Sequence, residues 1–194
     1  MDMRTEGIQD EAVLAAAARR GDKKALCELF ERNWGWLKGL VYGIVCDTAA
    51  TDDILQDICV RVIEKISSLR DAGRFRAWLA VIARREALRY RVKQREHLRL
   101  RPEQADTLSD ENADKLFEQI EYADECRKIL DEVLALPDKY RQIFMLDYSG
   151  DLTYRQMSEI LNVPLTTVQI RLVRARRMLL ERVKSKDKGS IQGT

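Results

Sequence analysis

From Leu26 onward, apolar side chains fall at Leu29, Phe30, Leu37, Leu40, Val41, Ile44 and Val45, three and four residues apart, so they line one face of a helix. The spacing predicts a long amphipathic helix, with a shorter one, Asp10 to Arg20, before it and a Gly21-Asp22 turn between them. Gly35, Gly39 and Gly43 recur every fourth residue on the long helix. They weaken it intrinsically and imply that another backbone packs close to it. A third stretch, Thr51 to Ile66, divides by side when wound at about 100° per residue. Ile54, Leu55, Ile58, Val62 and Ile66 fall on a core side, and Asp53, Gln56, Asp57, Val60 and Glu64 fall opposite. An acidic stripe is therefore expected to face outward.

After an Asp71-Ala72-Gly73 turn, a fourth helix, Arg74 to about Glu96, changes character midway. Phe75, Trp78, Leu79, Val81 and Ile82 suit a core, whereas Arg84 to Arg101 holds eight basic residues against Glu86 and Glu96. Pro102 ends the pattern, and the polar, acidic, non-periodic stretch to Asn112 reads as a linker. Periodicity resumes at Leu116, Ile120, Ile129, Leu130, Val133 and Leu134 and breaks at Leu136-Pro137, where proline suits the first turn of a new helix reaching Tyr148. Thr153 is placed to cap a short helix to Leu161. Asn162-Val163-Pro164 then turns the chain into a last, basic helix, Leu165 to about Val183. The expected organisation is a first helical domain over 10–96, a linker over 97–112, a second domain over 113–184, and a disordered tail over 185–194.

Composition supports an all-α chain, since only nine glycines and three prolines punctuate 194 residues that are 45% hydrophobic and 34% charged. The longest apolar run, Leu40 to Cys46, is too short to span a bilayer, and the first residues do not read as a leader. A cytoplasmic protein without membrane insertion is expected. Cys27, Cys46, Cys59 and Cys126 form no Cys-x-x-Cys pair, and the sole histidine, His97, lies far from them, so neither metal nor cofactor is expected. Cys27, Cys46 and Cys59 instead fit the apolar stripes as small hydrophobes. Trp34, Trp36 and Trp78 read as core or interface anchors.

Net charge is only +2, from 34 basic and 32 acidic residues, so the distribution matters more than the sum. On the fourth helix Arg84, Arg91 and Arg95 share a side, Arg85 lies beside them, and Tyr90 supplies an aromatic among the charges. Such a surface can hold a strand's backbone and stack its bases, although a solvated helix end has the same composition. The last two helices form a helix-turn-helix pattern, with Met157, Ile160 and Leu161 on one and Leu165, Val168, Leu172, Ala175 and Leu179 on the other. Opposite that core stripe lie Thr166, Thr167, Ile170, Val173, Arg174 and Arg177, flanked by Gln169 and Arg171. Arginine can take both acceptors of guanine, glutamine the edge of adenine, and an outward Ile170 or Val173 a thymine methyl. The bland alternative is that these arginines solvate a helix and oppose its dipole. The acidic stripe on the third helix fits a basic partner helix, with Gln56 and Val60 alongside, or a plain solvated face. A metal-dependent nuclease would need Asp52, Asp53 and Asp57 to converge with further acids.

Five segments also resemble a known family. Ala50-Thr51-Asp52-Asp53-Ile54-Leu55-Gln56-Asp57-Ile58 and Phe75-Arg76-Ala77-Trp78-Leu79-Ala80-Val81-Ile82-Ala83-Arg84 are similar to the D-A-E-D-L-V-Q-E-V and F-R-A-W-L-Y-R-I-A-R motifs of bacterial extracytoplasmic-function (ECF) sigma factors. Leu136-Pro137, then Thr153 to Leu161, then Val168 to Arg176 follow in that group's order. The resemblance implies a transcription-initiation subunit that binds core RNA polymerase and promoter DNA and is not an enzyme, with an anti-sigma factor as a candidate third partner. It implies that the helix with Asp53, Gln56 and Asp57 docks on the clamp helices of the largest polymerase subunit. The half-helix from Trp78 to Arg95 would melt and hold the −10 element as single strand, and the recognition helix would read the −35 duplex. The chain departs from the family at Arg85 and Arg89, where Asn and Asp are usual, at Thr166, Gln169 and Ile170 of the recognition helix, and at Ala50, which leaves capping to Asp47 or Thr48. Nine acids against one base, Lys115, between Glu103 and Glu125 suggest a linker that duplex DNA repels. The competing reading is a stand-alone helix-turn-helix regulator of duplex DNA.

Overall fold

The computed structural model describes residues 3–100, 123–148 and 151–190, and side chains over 10–97, 129–148 and 151–185; the described residues form eight α-helices. They are α1 (Met3–Arg19), α2 (Lys23–Val45), α3 (Thr48–Lys65), α4 (Phe75–Leu100), α5 (Ala123–Leu134), α6 (Asp138–Tyr148), α7 (Tyr154–Leu161) and α8 (Leu165–Ser190). Two short 3-10 turns, Ile66–Ser68 and Ala72–Arg74, join α3 to α4. No strand occurs among the described residues, as the composition predicts. Most of the expected linker, residues 101–112, lies outside them, and α4 runs on through Leu100. The predicted disorder of the tail does not hold up to Ser190, because α8 continues that far as one helix.

Local chemistry sets the helix ends. The Asp22 carboxylate accepts from the backbone N–H groups of Lys24 and Ala25 at 2.9 and 3.1 Å, satisfying donors that the first turn of α2 leaves free. At the start of α3 the same job falls to Asp47, which accepts from Ala50 N–H at 2.9 Å, so Asp47 rather than Thr48 replaces the cap missing at Ala50. Thr153 and Gln156 form a reciprocal capping box at α7. Asn162 then takes the left-handed conformation (φ 53°) that stops α7, and Ser158 Oγ donates to Val163 O at 2.6 Å to hold the turn before Pro164 and α8.

The predicted apolar stripes converge. Leu29, Leu37, Leu40 and Ile44 of α2, Ile54, Leu55, Ile58 and Val62 of α3, and Phe75, Leu79, Ala83 and Ala87 of α4 are all buried. Each large side chain removed from water contributes about 1.5–3 kcal/mol to the fold. Ile143 and Leu146 of α6, Met157, Ile160 and Leu161 of α7, and Val168 and Leu172 of α8 bury their own stripe, and this core is continuous with the first. The two helical sets therefore meet across α2 and α4 on one side and α6 and α7 on the other.

That meeting corrects the expectation for the glycine stripe. What approaches α2 is a side chain, Met145 of α6: a Cβ at Gly43 would lie 2.8 Å from Met145 Cγ, and one at Gly39 3.1 Å from Met145 Cε. Gly35 has open space instead. Trp34 is 40% exposed and Trp36 and Trp78 are half-buried, with the Arg76 guanidinium 4.8 Å from the Trp36 ring. One other expectation changes with burial. Cys27 points to solvent because it falls off the buried face defined by Ala25 and Leu29. Cys46 is half-buried at the C-cap of α2, with φ 57°.

Candidate nucleic-acid and partner interfaces

The outward face of α3 is as the periodicity predicts. Asp53, Gln56, Asp57, Val60 and Glu64 are all exposed, because Ile54, Leu55, Ile58 and Val62 turn the other side inward. Sequence reasoning passed over Ile63, which is 60% exposed one turn from Val60, itself 54% exposed. Its position three residues after Val60 was the available signal. The face thus carries carboxylates around a small apolar centre, suited to a basic partner with an apolar contact. Asp52 stands apart, paired with Lys38 at 3.0 Å.

On α4 the basic residues divide by neighbour. Arg85 and Arg95 are exposed, as expected of a strand-binding face. Arg84 and Arg91 share a side but turn toward α6 rather than solvent: Arg84 Nε donates to Gln142 Oε1 at 3.3 Å, and Arg91 pairs with Asp138 at 2.6 Å. Burial pulls the Arg84 pKa down from its usual value, because desolvation penalises the charged form. Tyr90 is half-buried against the core rather than presented for stacking. Burial pushes its phenol pKa up, and the carboxylates of Asp47 and Asp53 add to the shift. Arg89, one of the departures from the family pattern, is held by Glu86 at 2.7 Å, and Glu86 is itself nearly buried and also faces Arg61 at 3.6 Å.

The helix-turn-helix is present in α7 and α8. Val168, Leu172 and Ala175 are buried against α6 and α7, which leaves Thr166, Gln169, Ile170, Val173, Arg174 and Arg177 on the exposed side. Thr167 and Arg171 are half-buried at its edges. Ile170 and Val173 are 52% and 67% exposed. The Arg174 guanidinium, together with the charge of Lys139, draws the Tyr140 phenol pKa down. Arg176 faces elsewhere, pairing with Asp147 of α6 at 2.6 Å. Among the described residues no group of three or more His, Cys, Asp and Glu side chains could hold a metal ion, and no helix is long and apolar enough to cross a membrane.

Comparison with known proteins places both helical sets. Sigma-70 region 2 matches residues 29–97, and Sigma-70 region 4 matches residues 126–179. The fold and these paired regions define an RNA polymerase sigma factor, which directs promoter recognition in transcription initiation. Within that class the chain belongs to the ECF sigma factors. It is 31% identical over 163 residues to the ECF RNA polymerase sigma factor SigK of Mycobacterium tuberculosis, spanning 81% of this chain and 85% of SigK. SigK of Mycobacterium sp. (strain KMS) is 30% identical over 165 residues, with 84% and 85% covered. Among solved structures, the fold is similar to CnrH in complex with the cytosolic domain of CnrY, with a TM-score of 0.63, 20% identity, and 91% of this chain and 98% of that one covered. It is also similar to the sigma factor RpoE from Bartonella quintana in complex with the anti-sigma factor NepR, with a TM-score of 0.68, 18% identity, and 83% and 98% covered.

Proposed function

We propose that the chain divides promoter work among three surfaces and acts in the cytoplasm by binding alone, without catalysis. Asp53, Gln56, Asp57, Val60 and Glu64 of α3, joined by Ile63, dock on core RNA polymerase. The half-helix bearing Arg84, Arg85, Tyr90, Arg91 and Arg95 takes the −10 element as single strand and keeps it melted. Thr166, Thr167, Gln169, Ile170, Arg171, Arg174 and Arg177 meet the −35 duplex. In this division the polymerase and −10 unit covers 10–96, the linker 97–112, the −35 unit 113–184 and the tail 185–194. An anti-sigma protein is a third candidate partner.

The segregation of charge supports this reading most directly: exposed acids are gathered on α3 and exposed arginines on α8, two separate helices of one folded chain. A protein that reads duplex DNA alone has no use for the first of these faces. Purified core polymerase should start transcription at defined sites on genomic DNA only when this chain is added, and mapping the transcript starts checks it. Duplex binding without any promoter-directed transcription would favour the stand-alone regulator.

A further inference from the structure

Where α4 meets α3, one buried carboxylate gathers two half-open arginines from different helices. Arg89 Nη1 donates to Glu86 Oε2 at 2.7 Å, and Arg61 Nε of α3 stands 3.6 Å from Glu86 Oε1. The Glu86 side chain is 10% exposed, whereas those of Arg61 and Arg89 are 42% and 43% exposed. The carboxylate thus lies beneath, and the guanidiniums reach solvent above it. At 3.6 Å the Arg61 contact is an ion pair too long for a hydrogen bond, so its donors are not spent on Glu86. Arg85 is exposed one turn before Arg89, at the i,i+4 spacing that makes neighbours on a helix surface. These three cations form a short track along the α3 edge of α4, while Arg84 and Arg91 turn to Gln142 and Asp138 of α6.

A buried carboxylate is a poor way to stabilise a fold. Its desolvation offsets most of the attraction in its ion pairs, and an apolar side chain of similar size serves as well. What it does supply is orientation, because it fixes the planar fork of each guanidinium and leaves the outer donors aimed at solvent. Cations held in this way suit a phosphodiester, whose oxygens accept from such forks. We propose that Arg61 and Arg89 form a phosphate seat for the single strand on α4, with Glu86 as the positioning residue that aims them. The inference deepens the −10 assignment of α4 and rests on it. Arg85 and Arg89 are two of the places where the chain departs from the ECF pattern, so the track is built from this chain's own residues. It also bounds the path of the strand. Asp57 and Glu64, exposed about one turn either side of Arg61 on α3, repel a backbone that strays from α4.

Anisotropy of fluorescent oligo-dT on the full-length chain, followed across salt, tests the seat. Arg61→Ala and Arg89→Ala should each flatten the slope of log affinity against log salt by about 0.7, the mark of one lost phosphate contact on a single strand. Glu86→Ala and Glu86→Gln remove the same charge, but only glutamine still accepts from Arg89. Glu86→Ala should weaken binding about threefold or more, and Glu86→Gln should restore it to within about twofold of wild type. Circular dichroism checks that both are folded at the assay temperature. A carboxylate that merely fastened α3 to α4 would lower the unfolding midpoint and leave the two variants with equal affinity. One that merely repelled the strand would make both bind more tightly than wild type. Either result overturns the proposal, as do unchanged salt slopes for Arg61→Ala and Arg89→Ala. Arg85→Ala combined with Arg95→Ala separates this failure from that of the −10 assignment. If that pair weakens binding while the other slopes hold, only the seat is lost; if it too has no effect, the strand assignment of α4 falls with it.

Discussion

Arginine serves three ends in this chain, and its immediate neighbours decide which. Arg141 is spent on structure, its guanidinium nearly buried among carbonyls of α2 and α5 and the Asp138 carboxylate. Arg176 ties α8 to α6 through Asp147, which raises its pKa by favouring the charged form. Arg174, two residues earlier and so about 200° away around the helix, stays exposed, and its charge draws the Tyr140 phenol pKa down. An exposed guanidinium presents a planar fork of donors that can take a base edge bidentately. Arg174→Ala should cost roughly 1–3 kcal/mol at a cognate −35 duplex and relax the base preference at one position, measured by anisotropy across single-base variants. A change confined to the salt slope would instead make Arg174 a phosphate contact. In the sequence, Arg171, Arg174, Arg176 and Arg177 are one basic run; helical winding separates their directions, but only the acid on a neighbouring helix shows that Arg176 is taken.

At the scale of the element, α3 is the clearest case of an exposed charged face written into periodicity. Its buried residues recur every three or four positions, so the acids between them cannot be other than outward once the helix packs. Asp53→Lys with Asp57→Lys, both exposed, should leave the helical signal and unfolding midpoint close to wild type and abolish co-purification with core polymerase. Retained affinity would remove the docking assignment. The capping of α3 by Asp47 was legible as one of two candidates, because Asp and Thr are both residue types that cap a helix start. The behaviour of α4 was half legible. Its switch from apolar to basic is plain in the sequence, and Arg85 and Arg95 are exposed as expected. Nothing in its own pattern announces that Arg84 and Arg91 are turned toward another helix or that Tyr90 is drawn against the core.

Over the whole molecule, the acids between Glu103 and Glu125 separate the two basic segments proposed to meet DNA. A stretch with this charge should avoid duplex and thread a positively charged channel of the polymerase. Replacing the nine acids with lysines should depress promoter-directed initiation in a purified system; normal initiation would count against that path. The stripes, turns and caps, and with them the all-helical class, the acidic face of α3 and the helix-turn-helix, were determined by the sequence alone. Each follows from residues a few positions apart, where helix geometry converts spacing directly into direction. How the two helical sets meet was decided only by the tertiary structure. Arg141 reaches the carbonyl of Gly43 across 98 positions, and Met145 finds a glycine groove equally remote in the chain. Such contacts depend on complementary shape and buried hydrogen bonding between surfaces that no local period relates, so they exist only once both helical sets are folded and packed.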